Sequence, residues 1–271
     1  MCCLYRGGFI SGKPLGTHLN SNFYHSLEIC RQLFAGRIAL LCIEDDPDIT
    51  YLLCDELFCS PLFVSTKADT FEKAEAAVLS KHLHHCWILD LTLNRHNDGL
   101  DLLRKKPLFP YCVVASGSIS LYDATIAMRE GAFGAYDKNA IMVSNTHDFI
   151  KEVCALATLS LLLDARKPER FDMFTLLLNR FIRTQEEWSR EYCLNERSVR
   201  NICEENSGLT ARQFLYLYHT LNRILLDDCF VGYRSYTSEN VPFSKETEDF
   251  FYSCAEYVVT HFDKVYGRWY R

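Results

Sequence analysis

The sequence predicts a doubly wound α/β fold, a five-stranded parallel sheet with helices on both faces, followed by an all-α region. Three observations predict it. Between Arg37 and about residue 150, short apolar runs alternate five times with segments of helical periodicity, the pattern of parallel strands joined by crossover helices. After about Ser160 the alternation stops and only helical periodicity remains. Acidic or polar residues also recur at the carboxyl ends of the strands, where such folds gather their chemistry.

The elements follow in order. Residues 1–36 form a leader containing SLEICRQLFAGR, an amphipathic segment that a helix ending at Gly36 would explain. RIALLCIE is the first strand, ITYLLCDELF a helix, LFVSTKA the second strand, and TFEKAEAAVLSKHL a helix that Thr70 opens. HCWILDL is the third strand, DGLDLLRKK a short helix, PYCVVASG the fourth strand, and LYDATIAMREG a helix closed by Gly131. AFGAYDK is the last strand, and a helix starts near Asn145 to Asp148. Residues 37–150 are thus the α/β unit and 151–167 a connecting helix or linker. Pro168 marks the boundary of a separate helical unit, 168–271.

Composition sets the surroundings. At 271 residues with 48% hydrophobic content, the chain can bury one large core or two ordinary ones. Its 13 cysteines are scattered with no C-x-x-C pair, and Cys42, Cys112 and Cys154 sit inside apolar runs. That usage suits reduced core thiols in a cytoplasmic protein rather than a disulfide scaffold. The N-terminal stretch has no apolar segment long enough for a signal peptide, and nowhere do about 18 apolar residues run together, so no membrane partner is expected. A net charge of −6 leaves room for a basic face on an acidic whole.

The site begins with a cost. Glu44, Asp45 and Asp46 stand side by side after the first strand, and crowded like charges repel unless a cation or a solvated face balances them. Asp90 ends the third strand, Ser116 the fourth and Lys138 the fifth, all on one edge of the sheet. Converging carboxylates suit a hard cation such as Mg²⁺. A hydroxyl and an ammonium beside them suit a phosphoryl group accepted on a carboxylate. Phosphatases with an aspartate nucleophile use a second aspartate two residues on; that position is Thr92 here.

On these residues, 37 to about 150 resemble the receiver domain of bacterial two-component response regulators, a flavodoxin-like fold. The resemblance implies that Asp90 is the phosphoacceptor, that Glu44 and Asp45 hold Mg²⁺ with Asp90, and that the Thr92 backbone carbonyl joins them. It implies that Ser116 is the switch hydroxyl, that Lys138 pairs with the phosphoryl group, and that a histidine kinase or phosphotransfer protein is the donor. The protein would then be a regulator, not an enzyme acting on an outside substrate. Three positions depart from the family pattern. Asn94 stands where a proline is usual, with one extra residue before Gly99; Asn139 replaces the proline after the lysine; and Ala135 takes the switch-aromatic position, with Tyr136 one place later.

In the helical half, Thr184 and Glu187 form a capping-box pattern opening one helix. Asn195 can cap a second helix, Glu196 to Asn206, with Val199, Ile202 and Cys203 on its inner face. Two helices joined by so tight a turn make a helix-turn-helix. With the Ser207 to Thr210 turn and the long helix ending LNRILL, this stretch is similar to the first helix-turn-helix of AraC-type transcription factors. The similarity implies duplex DNA as a partner, contacts from Arg197, Ser198, Arg200 and Asn201, backbone contacts from Arg180, Arg183 and Arg190, and a homodimer. The second motif of that family is degenerate here, leaving HFDKVYG and the final Tyr270 and Arg271. The alternative is a phosphorylation-independent protein whose helical half binds a protein partner, since glutamates surround these arginines. His82, His84 and His85 are expected as a surface cluster, and FLYLYHTL as helix core.

Overall fold

The computed structural model describes residues 21–80, 84–93, 98–105, 111–117, 119–164, 168–233 and 244–267. His82, Asn94, Tyr270 and Arg271 lie outside the described residues.

Strands β1 (Ile38–Ile43), β2 (Phe63–Ala68), β3 (Cys86–Leu89), β4 (Cys112–Ser116) and β5 (Gly134–Asp137) form one sheet in the order β2-β1-β3-β4-β5. Every pairing is parallel. This is the flavodoxin-like order, with the reversal of strand order between β1 and β3. Strands β3 and β4 are buried along their whole length and β1 everywhere but Ala39, as central strands covered on both faces must be. The edge strands β2 and β5 are only partly covered.

The helices of the sheet region are α1 (Ser21–Leu33), α2 (Pro47–Tyr51), α3 (Phe71–Leu79), α4 (Asp98–Lys105), α5 (Leu121–Arg129), α6 (Lys138–Ala140) and α7 (Thr146–Leu162). Capping explains where they start. Asp46 accepts from the N–H groups of Asp48 and Ile49 with Pro47 in the first turn, and Thr70 and Ser120 cap α3 and α5 in the same way. Helix α2 begins two residues before Ile49, where the apolar pattern placed it, and continues as a π-helical stretch, Leu52–Leu57. The helix expected near Asn145 begins earlier still. Asp137 caps α6 at Lys138, and a π-helical stretch, Ile141–Asn145, carries the chain into α7.

Helix α7 covers most of the stretch expected as a connector, and from Val153 to Leu162 it is buried on all sides. It packs on β1 and β3 and also on α11 (Ala211–Tyr233) of the helical half. A helix apolar all round is a core helix, so one hydrophobic cluster runs from the sheet through α7 into the C-terminal helices. Those helices are α8 (Phe171–Asn179), α9 (Gln185–Glu191), α10 (Glu196–Ser207), α11 and α12 (Lys245–His261), the last extended by a π-helical stretch, Phe262–Tyr266. FLYLYHTL lies in α11, where Phe214, Leu215, Leu217 and Tyr218 are buried. Among the described residues, no helix is long and apolar enough to cross a membrane.

The leader gains a role. Helix α1 packs on α11 and α12, burying Leu27, Cys30 and Phe34, with the Phe34 ring edge-on to Phe262 at 5.5 Å. Arg31 reaches Asp228 of α11, whose carboxylate also accepts from Ser60. Residues that precede the sheet therefore clamp the helices that follow it.

Candidate functional site

The sheet register assembles the site. Ile43 pairs with Leu89, and Asp90 N–H donates to the Ile43 carbonyl, so Glu44 and Asp90 emerge side by side. Ser116 pairs with Asp137, which puts its hydroxyl next to the start of α6 and Lys138. Glu44, Asp90 and Ser116 are buried, whereas Asp45 is exposed. One Asp90 oxygen accepts from the Ser116 hydroxyl at 2.8 Å and from Thr92 N–H at 3.0 Å. The other accepts from the Lys138 ammonium at 2.5 Å. The same ammonium lies 2.6 Å from Glu44. Asp46 caps α2 and so belongs to that helix rather than to the pocket.

Burial pushes the Glu44 carboxyl up to about 7; Lys138 pulls it down, and the charge of Asp90 adds to the rise. Burial alone would push the Lys138 ammonium down, but its hydrogen bonds to Asp90 and Glu44 and their charges outweigh that and hold it above its ordinary value. One ammonium thus serves two buried carboxylates, with a third, Asp45, beside them. Ligand oxygens of Glu44, Asp45 and Asp90 all lie within 4.8 Å of one another. Opposite oxygens around Mg²⁺ sit about 4.1 Å apart and around Ca²⁺ about 4.6–5.2 Å apart. An all-carboxylate set of this span fits a hard divalent cation, with a slight inward closure for Mg²⁺.

Residues beyond the expected set also shape the pocket. A Cβ at Gly99 would stand 2.3 Å from the Asp90 carbonyl oxygen and 2.7 Å from Leu91 Cα. Helix α4 therefore reaches the Asp90 loop only because position 99 has no side chain. The D-G pair at the helix start was visible in the sequence; the close approach was not. Asn139 donates from its amide to the Gly117 carbonyl at 3.3 Å, joining the Lys138 and Ser116 loops. Tyr136 donates to Glu152 of α7 at 3.2 Å and packs edge-on against Phe149. Its ring lies against α7, and with Ala135 as the preceding residue on β5 no aromatic occupies the opposite face at that position.

Helices α9 and α10 form where the capping signals put them. Thr184 accepts from Glu187 N–H, and Glu187 reaches back to the N–H of Arg183, one residue before the cap. Asn195 caps α10 by accepting from Ser198 N–H, and Gly208 closes it in the left-handed region. Between the helices, Cys193 takes a positive φ of 55°, a conformation that usually favours glycine. Trp188 is buried and donates to the Met173 carbonyl. On α10, Arg197, Arg200 and Asn201 are exposed and Ser198 is half-buried. Arg180 and Arg190 are exposed as well, whereas Arg183 is tied to Glu187 and Glu246. Glu186, Glu191, Glu196, Glu204 and Glu205 share this exposed surface. Among the described residues, α12 follows α11 as a single helix.

At the opposite end of the sheet, His85 Nδ1 accepts from Ala39 N–H at 2.9 Å. That nitrogen serves the backbone, not a metal. His84 is buried, so the expected surface cluster is not formed by these two histidines.

No protein-family model matches the chain, and no curated protein matches it. Solved structures do overlap it. A CheY-like response regulator receiver domain from Methanospirillum hungatei JF-1 is 19% identical, with 43% of this chain and 90% of that one covered at a TM-score of 0.37. A Burkholderia pseudomallei response regulator with a phosphorylated aspartic acid and a calcium ion is 16% identical, with 59% and 95% covered at 0.36. The Salmonella typhimurium response regulator RcsB is 15% identical, with 66% and 96% covered at 0.35. The fold itself rests on the strand order and the parallel register of the sheet.

Proposed function

We propose that the chain is a response regulator that accepts a phosphoryl group on Asp90. The observation that supports this best is the Asp90 carboxylate held at once by the Ser116 hydroxyl, the Thr92 N–H and the Lys138 ammonium, beside a donor set that fits a hard cation. In this reading an Asp90 oxygen attacks the phosphorus of a phosphohistidine on a histidine kinase or phosphotransfer protein. The phosphorus–nitrogen bond breaks, and the imidazole leaves with the electron pair and takes a proton. Lys138 is within reach of the new phosphoryl oxygens, and Ser116 turns its hydroxyl to them. Mg²⁺ held by Glu44, Asp45, Asp90 and the Thr92 carbonyl would neutralise charge on the incoming group. The output is a shift between two states of the chain, which requires the phosphoryl group to bind one of them better.

For the helical half, the proposed role is sequence-specific DNA binding as a homodimer, with Arg197, Ser198, Arg200 and Asn201 toward the major groove. A second reading, a protein partner in place of DNA, is favoured by the glutamates that outnumber the arginines on α9 and α10. Such a surface repels phosphates unless the arginines dominate locally.

One experiment tests both halves. Purified protein is offered genomic DNA fragments with and without Mg²⁺ and beryllofluoride, beside Asp90→Asn and Arg197→Ala/Arg200→Ala. Sites that depend on the arginines, weaken with salt and strengthen with beryllofluoride only when Asp90 is present would support the proposal. Beryllofluoride binding without any enriched fragment would leave a phosphoacceptor with a protein partner. Failure of beryllofluoride and Mg²⁺ to bind would remove the phosphoacceptor reading.

A further inference from the structure

Three cysteines from distant parts of the chain gather where the sheet region joins the helical half. Cys154 of α7 and Cys229 of α11 are both buried, with sulfurs 3.9 Å apart and 75 residues between them. Cys59, in the loop before β2, is exposed, and its thiol contacts the carbonyl of Asp228, the neighbour of Cys229, at 3.8 Å. The Cys229 sulfur accepts from the backbone N–H of Ser60, the residue after Cys59, and Cys229 acts electrostatically on Cys59. This loop and this turn of α11 are stapled together, because Ser60 Oγ donates to the Asp228 carboxylate at 2.7 Å while Arg31 holds the same carboxylate from α1. The three cysteines thus lead from the surface, at Cys59 beside Asp228, to the Cys229 and Cys154 pair at the seam between the halves.

We propose that Cys59, Cys229 and Cys154 form an oxidisable thiol relay that ends in a disulfide between Cys154 and Cys229, pinning α11 to α7. With hydrogen peroxide as oxidant, the Cys59 sulfur attacks a peroxide oxygen, the O–O bond breaks, and Cys59 sulfenic acid and water result. The Cys229 thiol attacks that sulfenic sulfur, loses its proton, and expels the hydroxyl as a second water, leaving a Cys59–Cys229 disulfide. Cys154 then attacks the Cys229 sulfur and releases Cys59 as a thiol, which gives the Cys154–Cys229 bond. The net change is two thiols and one peroxide to one disulfide and two waters. The last step closes the 3.9 Å separation to a bond of about 2.05 Å, by rotation of two short side chains on facing helices.

Burial holds the Cys59 thiol above its ordinary value, with Cys229 adding to the rise. Little of it is thiolate at neutral pH, so the relay responds to sustained peroxide rather than traces. The bridge would fix the helical half against the sheet region whatever the state of Asp90.

The test uses the full chain. After exposure to hydrogen peroxide, remaining thiols are blocked with N-ethylmaleimide under denaturing conditions, and peptides are mapped without reductant. The expected product is a peptide pair joining Cys154 and Cys229, two hydrogens lighter than the free thiols and released by dithiothreitol. Cys59→Ser should slow its appearance about tenfold, since the buried sulfurs meet oxidant poorly. Cys154→Ser should instead trap the Cys59–Cys229 pair, with Cys154→Ala as a second variant and circular dichroism to show that each folds. Recovery of Cys154 and Cys229 as blocked thiols after Cys59 has been oxidised would overturn the proposal. So would a bridge forming equally fast in Cys59→Ser.

Discussion

The Lys138 ammonium sits 2.5 Å from an Asp90 oxygen and 2.6 Å from a Glu44 oxygen, so a single cation compensates two buried carboxylates. Removing it leaves both without a counter-charge, and breaking such a pair costs about 3 kcal/mol or more. Lys138→Met should show this loss in urea denaturation at neutral pH without divalent ions, and added Mg²⁺ should recover part of it. A variant as stable as the parent would mean that Lys138 does not compensate this charge.

Gly99, in the first turn of α4, and Gly117, in the loop after β4, make opposite predictions. A Cβ at position 99 would collide with backbone atoms of Asp90 and Leu91, whereas one at 117 meets nothing within 4 Å. Backbone cannot swing aside as a side chain can, so Gly99→Ala should cost about 2 kcal/mol and weaken beryllofluoride binding. Gly117→Ala should stay within about 0.5 kcal/mol of the parent. Calorimetric unfolding and a beryllofluoride titration on the two variants would show whether the contrast exists.

His219 sets a pH dependence. It is buried with Nε2 2.7 Å from the Ile182 carbonyl, and burial pushes it down to about 4. The unfolded chain takes up this proton near pH 6.5 and the folded chain only near 4, so stability falls as the pH drops through that window. From pH 7 to pH 5 the loss is about 2 kcal/mol. Glu44 works the other way, because a carboxyl held near 7 takes its proton first in the folded state. The histidine contribution is therefore read as the difference between the parent and His219→Gln across pH 5–7. Parallel curves would exclude it.

Arg31 and Asp228 couple the leader to the helical half. The contact is two-pronged, with Nη2 at 2.8 Å and Nε at 3.1 Å from the same carboxylate oxygen, and Asp228 is mostly buried. Arg31→Ala and Asp228→Ala should each lower stability by about 1–3 kcal/mol. Their double mutant should lose about 1 kcal/mol less than the two added together, as contacting partners do. Additive losses in thermal unfolding would mean that each residue acts through other neighbours.

The alternation of strand and helix, the caps at Thr70, Thr184 and Asn195, and the strand-end positions of Glu44, Asp90, Ser116 and Lys138 were all legible in the chain. Each depends on residues close together in sequence, or on the rule that parallel strands present their carboxyl ends along one edge. Other features depended on which faces meet after folding. Nothing near Arg31 points to Asp228, and nothing near Cys59 points to Cys229. The sequence around Tyr136 does not show that its ring turns to Glu152 of α7. The connecting helix or linker expected at 151–167 falls largely within α7, and its burial comes from packing against β1 and β3 on one side and α11 on the other. Periodicity reports how much apolar surface an element must bury. The partner that buries it is chosen by packing among elements far apart in the chain, where the contacts of one segment are set by the shapes of several others.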